Sequence, residues 1–200
     1  MNYKSYNCEL DNVNEFLEKY GVAVIENIID DDTCNKYIDN AWKNFNILTS
    51  KMQIPMEKDK PDTWKTFYEL YPLHSMLLQH WGVGQWDFVW DIRCNNNVLN
   101  IFSKIWDCNN DDLISSFDGL SLHLPPEITK RGWYRGNDWL HTDQSSEIKN
   151  LWTVQGFVTL NDINKYDASL CIFEGSHKSH ESFFKDHNII EKKNWFRLEK

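Results

Sequence analysis

The segment Thr153-Val154-Gln155-Gly156-Phe157-Val158-Thr159-Leu160 places an aliphatic residue or glycine at every second position. This alternation is typical of a β-strand, in which successive side chains point to opposite faces of a sheet. The stretch Leu120-Ser121-Leu122-His123-Leu124 has the same period, and residues 170–173 form a further short apolar run bounded by turn residues. The part of the chain from residue 111 to residue 200 is therefore predicted to consist of short antiparallel strands.

The first 110 residues show helical spacing instead. A helix is predicted over 11–20, where Gly21 supplies a normal C-terminal signal. A second helix is predicted after the acidic run 30–32, whose carboxylates can cap a helix N-terminus. A third is predicted from Asn97 to Trp106, with Asn95 or Asn96 as its cap.

Three further segments complete the N-terminal part of the chain. Residues 22–25 are a short apolar run and are predicted to form a buried strand, whereas residues 51–62 are the most loop-like stretch. Helical spacing resumes from Phe67 to Leu78, although Pro72 must lie in a first turn or break this helix.

Helices followed by antiparallel strands predict a single domain over residues 1–200 with an α+β, mostly β, architecture. The simplest arrangement packs the helices of residues 1–110 on one face of a β-sandwich or jelly roll. Residues 111–200 would then be the first part of that jelly-roll core. The chain shows no internal repeat and no low-complexity linker.

Charge and cysteine usage narrow the classes of partner. Thirty acidic residues against 21 basic ones give a net charge of -9, which argues against nucleic acid and a membrane surface as partners. No apolar run reaches the ~20 residues of a spanning helix, and the first residues lack a secretory apolar stretch. Five scattered cysteines without a C-x-x-C pair indicate a reducing compartment, and we expect the cytoplasm.

The segment Trp139-Leu140-His141-Thr142-Asp143-Gln144 contains the most informative pair of polar residues. On an extended strand His141 and Asp143 point to the same face. An imidazole and a carboxylate in this arrangement can bind one metal ion from adjacent positions, which is two-thirds of the facial triad of non-haem Fe(II) oxygenases. The alternative is a surface loop in which the histidine and the aspartate simply pair.

Three motifs in order give this pair a context. The segments are Phe117-Asp118-Gly119 with Leu122-His123-Leu124-Pro125-Pro126, the H-x-D segment, and Ser169-Leu170-Cys171-Ile172-Phe173-Glu174-Gly175-Ser176-His177-Lys178. With residues 155–162 between them, they resemble the phytanoyl-CoA dioxygenase family of Fe(II)/2-oxoglutarate oxygenases. The start of the chain, Gly21 to Asn27 followed by an acidic-capped helix, is also similar to that family.

The resemblance implies a double-stranded β-helix (a cupin-like jelly roll) that binds Fe(II) through His141 and Asp143. It implies 2-oxoglutarate as co-substrate and hydroxylation of a small or medium-sized organic substrate. Thr142 is expected near the wall of the co-substrate pocket. Phe157 lies where the family often has an aromatic residue lining that pocket, and an ordinary core phenylalanine is an equal alternative.

Two functional groups of the family have no clear counterpart, namely a third ligand histidine and, about ten residues later, an arginine for the far carboxylate of 2-oxoglutarate. His177 belongs to the G-S-H-K signature and His180 to a polar stretch. His187 and Arg197 imitate the required spacing, but the residues around His187 lack strand alternation, so a surface histidine is expected.

Two interpretations follow from this incomplete set. The chain is either part of a longer oxygenase, whose C-terminal remainder completes the domain, or a catalytically inactive jelly-roll module that binds a ligand or a protein partner.

Other segments offer weaker chemistry. The loop Lys130-Arg131-Gly132-Trp133-Tyr134-Arg135-Gly136 could form an entrance for an anionic or planar substrate, or it is a solvated loop. His123 could line the pocket or be an ordinary packed histidine. The glycines of residues 81–86 lack the strand-to-helix context of a phosphate loop, and G-x-S-x-G is absent from the sequence, so nucleotide binding and hydrolase chemistry have little support.

Overall fold

The structure, a computed structural model, describes residues 3–132 and 140–198. Its α-helices are α1 (Val13–Tyr20), α2 (Asp31–Thr49), α3 (Asp87–Arg93), α4 (Asn96–Trp106), α5 (Pro126–Thr129) and α6 (Ser176–Asp186). Its strands are β1 (Leu77–Leu78), β2 (Leu120–Ser121), β3 (His141–Thr142) and β4 (Phe196–Arg197). Short 3-10 helices span Tyr3–Tyr6, Leu10–Asn12, Pro61–Leu70, Val83–Gln85 and Asn110–Asp112.

The chain divides into two compact units. The first unit contains residues 1–26, 136–158 and 169–200, and the second contains residues 27–135 and 159–168. The first unit thus combines α1 with the H-x-D segment and α6, although these are far apart in sequence. The description of residues 1–200 as one domain stays a prediction.

The core of the second unit is largely aromatic. Phe45 of α2 and Phe67 of the 3-10 helix Pro61–Leu70 are 2% and 0% exposed, and their rings meet edge-on with centroids 5.8 Å apart. The ring of Trp86 also packs edge-on against Phe45, at 5.2 Å. Edge-to-face contacts suit the quadrupoles of the rings and add to the free energy gained by burying them. This cluster holds α2 and the 3-10 helix together.

The predicted starts of two helices are confirmed. At α2 the carboxylate of Asp30 accepts a hydrogen bond of 2.8 Å from the backbone N–H of Thr33. At α4 the side chain of Asn95 accepts one of 2.9 Å from the backbone N–H of Asn97. Both caps satisfy amide groups that have no partner inside the helix.

The predicted helix from Phe67 to Leu78 is wrong beyond Leu70. The 3-10 helix ends at Leu70 and is followed by Tyr71, whose φ is +57°. Pro72 disfavours helical geometry in the residue before it and has no N–H to donate, so the helix does not continue. Leu77 and Leu78 instead form β1, which pairs antiparallel with β2 in the register Leu77 to Ser121 and Leu78 to Leu120.

In the first unit α1 ends as predicted at Gly21, whose φ is +77° and whose N–H donates to the carbonyl of Leu17. The predicted strand over residues 22–25 is reduced to a single parallel bridge between Asn7 and Val24. The N–H of Gly175 donates to the carbonyl of Tyr20 over 2.9 Å, so α1 is tied to the residue that precedes α6.

Strands β3 and β4 pair antiparallel in the register His141 to Arg197 and Thr142 to Phe196. The ring of Phe196 contacts that of Phe184 in α6, with centroids 5.1 Å apart. Because side chains alternate across a strand, Thr142 and Phe196 share the face that is covered by α6. His141 and Arg197 therefore lie on the other face.

The strands predicted over residues 153–160 and 170–173 have no ladder partner in the part of the chain that the structure describes. A strand needs a neighbour to satisfy its backbone groups. Apolar side chains of the first unit are correspondingly exposed here: Leu151, Trp152, Phe157, Leu170 and Phe173. The jelly roll therefore stays a prediction.

Across residues 3–132 and 140–198, no helix combines the length and the apolar composition that crossing a membrane requires.

Candidate functional site

The candidate site is built on β3 of the first unit and begins with two side chains. The Nε2 atom of His141 lies 3.5 Å from Oδ1 of Asp143. Their side chains are partly buried, at 21% and 38% exposure respectively, so both remain accessible to an ion. The structure thus brings the two predicted ligand side chains together on one side of the backbone.

Strand β4 adds two residues to the same face. Arg197 is the direct cross-strand partner of His141, which places their Cβ atoms about 5 Å apart. The ring of Trp195 packs against the imidazole of His141, with centroids 5.6 Å apart and planes inclined by 32°. The imidazole therefore has an aromatic ring on one side, and an exposed arginine lies opposite it in the ladder.

The second carboxylate oxygen of Asp143 is also engaged. The side-chain amide of Gln155 donates a hydrogen bond of 3.0 Å to Oδ2, while Oδ1 faces His141. An amide that holds one oxygen of a ligand carboxylate fixes the direction of the other. Gln155 thus orients Asp143 towards the imidazole.

The donor pair fits a divalent ion. Two donor atoms at about 2.1 Å from one ion lie roughly 3.0 Å apart at a right angle and roughly 3.4 Å apart at the tetrahedral angle. The observed 3.5 Å between Nε2 and Oδ1 needs only a small adjustment to reach either geometry. Imidazole and carboxylate are also the donor types of Fe(II) sites. The same separation fits a protonated histidine paired with the aspartate.

In the ranges 3–132 and 140–198 no cluster of three His, Cys, Asp or Glu side chains surrounds a common point. The pair His141 and Asp143 is therefore a two-donor site as described.

The two residues predicted near the co-substrate lie in different surroundings. Thr142 is half-buried, pairs with Phe196 on the opposite face from His141, and donates its hydroxyl to the carbonyl of Gln144 over 3.0 Å. Phe157 is 61% exposed, which differs from the packed core phenylalanine of the alternative interpretation. Its role in lining a pocket stays a prediction.

The remaining histidines of the first unit all contact backbone carbonyls. His177 meets the carbonyl of Glu18 at 2.9 Å and His180 that of Ser145 at 3.1 Å. His187 caps the end of α6, where Nδ1 lies 2.8 Å from the carbonyl of Phe183 and the imidazole stacks on the Phe183 ring. His187 is exposed at this helix end, in agreement with the expected surface histidine.

The predicted entrance loop is only partly described. Residues 133–136 lie outside the described residues. Arg131 packs its guanidinium over the ring of Tyr68 at 5.1 Å, and the hydroxyl of Tyr68 donates to the carbonyl of Arg131. This described part belongs to the second unit, as does His123, whose pKa is lowered by partial burial.

The sequence analysis did not single out Gln155 as a partner of Asp143, and it did not place Arg197 opposite His141. The signal for Gln155 was a polar residue in the apolar alternation of residues 153–160. The signal for Arg197 was the order Trp195-Phe196-Arg197, which places an aromatic residue and a cation on one strand face.

Comparison with known proteins gives two distant relatives. The chain is 29% identical over 167 residues to "Ava biosynthesis cluster protein O" of Aspergillus versicolor, a match that covers 82% of this chain and 50% of that protein. It is 24% identical over 212 aligned residues to the "Putative phytanoyl-CoA dioxygenase" of Dictyostelium discoideum, covering 86% of this chain and 57% of that protein. The chain thus spans about half the length of the curated relatives it matches.

No family model matches the chain, and no solved structure matches it either.

Proposed function

We propose that this chain carries the metal-binding strand of an Fe(II)/2-oxoglutarate-dependent dioxygenase that hydroxylates a small or medium-sized organic substrate. The observation that carries the proposal is the 3.5 Å separation between Nε2 of His141 and Oδ1 of Asp143. The similarity to the Dictyostelium protein, whose name is that of a dioxygenase, supports the reaction class.

His141 and Asp143 would hold the ion from adjacent positions and leave the remaining positions open for other ligands. When bound, Fe(II) and 2-oxoglutarate supply the activation of O₂ and the oxidation of a C–H bond, which no side chain performs by itself. Gln155 keeps the Asp143 carboxylate aimed at the ion, and Trp195 restricts the imidazole of His141 from one side.

Charge favours an anionic co-substrate at this face. Arg197 lies opposite His141 in the β-ladder, and its guanidinium can form paired hydrogen bonds with a carboxylate. Phe157 offers an exposed aromatic surface in the same unit, in keeping with its predicted place at the co-substrate wall. Thr142 would contribute from the opposite face of the strand, where its hydroxyl donates a hydrogen bond to the carbonyl of Gln144 and so stabilises the chain on both sides of Asp143.

The site needs a further polypeptide segment to become complete. Residues 151–158 and 170–173 of the first unit expose apolar side chains and lack strand partners. The relatives are about twice as long as the region matched, which supports a remainder of the same domain as the partner. That remainder would contribute the third ligand of a facial triad.

A catalytically inactive jelly-roll module that binds a ligand or protein is the second candidate function. The observation that favours it is the two-donor site, since described residues supply no third metal ligand. A module of this kind would use the exposed apolar segments to bind its partner.

The net charge of -9 supports a small-molecule substrate over nucleic acid or a membrane surface. The cysteine pattern supports a reducing compartment such as the cytoplasm.

Anaerobic titration of the chain with Fe(II), and with Co(II) as a spectroscopic substitute, tests the donor pair. We expect one metal ion per chain, and we expect His141→Ala and Asp143→Ala to remove the binding. His187→Ala is the matched control, because this histidine contacts only its own helix in the described hydrogen bonds. Equal metal affinity in all three variants would overturn the metal site.

Succinate formation from 2-oxoglutarate separates the two candidate functions. The assay is run with the chain alone and with a version extended at the C-terminus by the downstream coding sequence. Turnover in the extended version supports the dioxygenase. Metal binding without turnover in either version favours the inactive module.

A further inference from the structure

His180 joins α6 to the segment that follows the candidate metal ligands. Its Nε2 atom lies 3.1 Å from the backbone carbonyl oxygen of Ser145, two residues after Asp143. Ser145 is 3% exposed, so water has little access to the residue. A buried carbonyl that loses its donor costs free energy comparable to a lost hydrogen bond, so the contact fixes the position of this backbone.

The orientation of the His180 ring is itself fixed by packing. The imidazole meets the ring of Phe184 edge-on, with centroids 4.9 Å apart. Phe184 is 3% exposed and packs against Phe196, which is the cross-strand partner of Thr142. The helix therefore contacts one face of the β3–β4 ladder through Phe184, and it contacts Ser145, just after the H-x-D segment, through His180.

Other contacts tie the same segment to the chain within α6 and after it. The N–H of Ser146 donates to the carbonyl of Glu191 over 2.9 Å, and its hydroxyl bonds to the same carbonyl. Lys149 lies 3.2 Å from the carboxylate of Glu181 in an exposed ion pair. The exposed pair contributes little, so the hydrogen bonds of Ser145 and Ser146 hold the position of the segment.

We propose that His180 is a positioning residue for the candidate metal site. It holds the backbone after Asp143 so that the Asp143 carboxylate and Nε2 of His141 face the same ion position. This inference rests on the proposed function. Asp143 lies in a bend only two residues from the held carbonyl, so a shift of Ser145 moves the carboxylate. A ligand displaced by a fraction of an ångström binds an ion less well.

The proton position on His180 distinguishes this role from direct ligation. The carbonyl oxygen of Ser145 only accepts, so Nε2 of His180 must carry a proton and donate it. A protonated ring nitrogen has no lone pair for a metal ion. In this arrangement Nε2 of His180 thus serves the site through the backbone.

Two substitutions at His180 separate the hydrogen bond from the packing. His180→Phe keeps an aromatic ring against Phe184 but removes the donor, whereas His180→Gln keeps an N–H donor at a similar distance from the backbone. His187→Ala is the matched control, because His187 lies at the end of the same helix and bonds to the carbonyl of Phe183. All variants are made in the full 200-residue chain.

Co(II) affinity and hydrogen–deuterium exchange are measured together. We expect His180→Phe to weaken Co(II) binding by about 10- to 100-fold, and His180→Gln and His187→Ala to stay within about threefold of the unmodified chain. Amides of residues 143–146 should exchange faster in His180→Phe than in His187→Ala. Unchanged affinity in His180→Phe, or an equal loss in His187→Ala, would overturn the positioning role.

The two proposals fail in different ways. If the unmodified chain binds no Co(II), the proposed function fails. The exchange measurement alone then tests whether His180 holds the backbone of residues 143–146. Faster exchange of residues 143–146 in His180→Phe but not in His187→Ala would then still support its hold on this segment. Equal exchange rates would overturn it.

Discussion

The side-chain amide of Gln155 donates a hydrogen bond of 3.0 Å to Oδ2 of Asp143, while the other oxygen of that carboxylate faces His141. Gln155 thus holds one oxygen of the carboxylate, and the other oxygen points towards His141. Metal-binding carboxylates are commonly oriented by such outer hydrogen bonds, and their loss lowers metal affinity even though no ligand is removed. Gln155 is therefore expected to affect metal binding from outside the ligand set.

Replacing Gln155 by leucine should lower the affinity for Fe(II) or Co(II) by about 10- to 100-fold, because the carboxylate of Asp143 loses its fixed orientation. Isothermal titration under anaerobic conditions measures this affinity. Gln144→Leu is the control, since the Gln144 amide donates to the hydroxyl of Thr153 and not to a carboxylate. Equal losses of affinity in both variants would contradict the role of Gln155.

The relation between His141 and Asp143 could be predicted from sequence because it is local. Side chains two positions apart on an extended strand share a face whatever the rest of the fold does. The contacts of Gln155 and Arg197 could not, because the first spans twelve residues without regular structure and the second depends on the register of β3 and β4. Register is set by tertiary packing, here by Phe196 against α6.

Helices could be predicted from sequence where the residues that determine them lie within the helix or at its caps. Asp30 and Asn95 each cap the helix that was expected to follow. Leu77 and Leu78 continue a helical spacing but form β1, because Tyr71 and Pro72 stop the 3-10 helix and residues 120–121 supply a strand partner. Pairing with a distant segment overrides local spacing in such a short run.

The hydroxyl of Thr49, a fully buried residue in the second unit, is engaged both as a donor and as an acceptor. It donates to the carbonyl of Phe45 over 2.7 Å and accepts from the backbone N–H of Met56 over 2.8 Å. Thr49→Val keeps the shape but leaves that N–H without an acceptor, which should lower the free energy of unfolding by about 1–3 kcal/mol.

Urea unfolding followed by tryptophan fluorescence measures the effect of Thr49→Val. Thr49→Ser is the control, because it keeps the hydroxyl and loses one methyl group, at a cost of about 1 kcal/mol. A valine variant as stable as the unmodified chain would show that the amide of Met56 finds another acceptor.

Low pH should destabilise α2 by protonating its capping residue, Asp30. The backbone N–H of Thr33 has the largest effect on Asp30 and the Thr33 hydroxyl the next largest: both donate to the carboxylate and lower its pKa below the ordinary value of 3.8. A depressed pKa stabilises the fold at pH values above the unfolded pKa, and this stabilisation is lost as the pH falls through the folded pKa.

Asp30→Asn keeps a capping oxygen but does not titrate, so this variant should lose less stability than the unmodified chain between about pH 6 and about pH 2. Urea unfolding at both pH values measures the two losses. In a Thr33→Val background the difference should shrink, because one of the two donors is gone while the backbone N–H remains. Identical pH dependence of the unmodified chain and Asp30→Asn would contradict this assignment.

Gly21 and Gly175 form a matched pair of glycines, with φ values of +77° and +76°. A Cβ at Gly21 would lie 2.5 Å from Nδ1 of His177, whereas a Cβ at Gly175 would meet nothing within 4 Å. Gly175→Ala should therefore cost only the left-handed strain of about 1–2 kcal/mol, and Gly21→Ala should cost more because His177 must also move and loses its contact with the carbonyl of Glu18. In a His177→Ala background the excess cost at Gly21 should disappear, which a double-mutant cycle of unfolding free energies measures. If the excess persisted without the imidazole, the cause would lie in the backbone of α1 and not in the packing of His177.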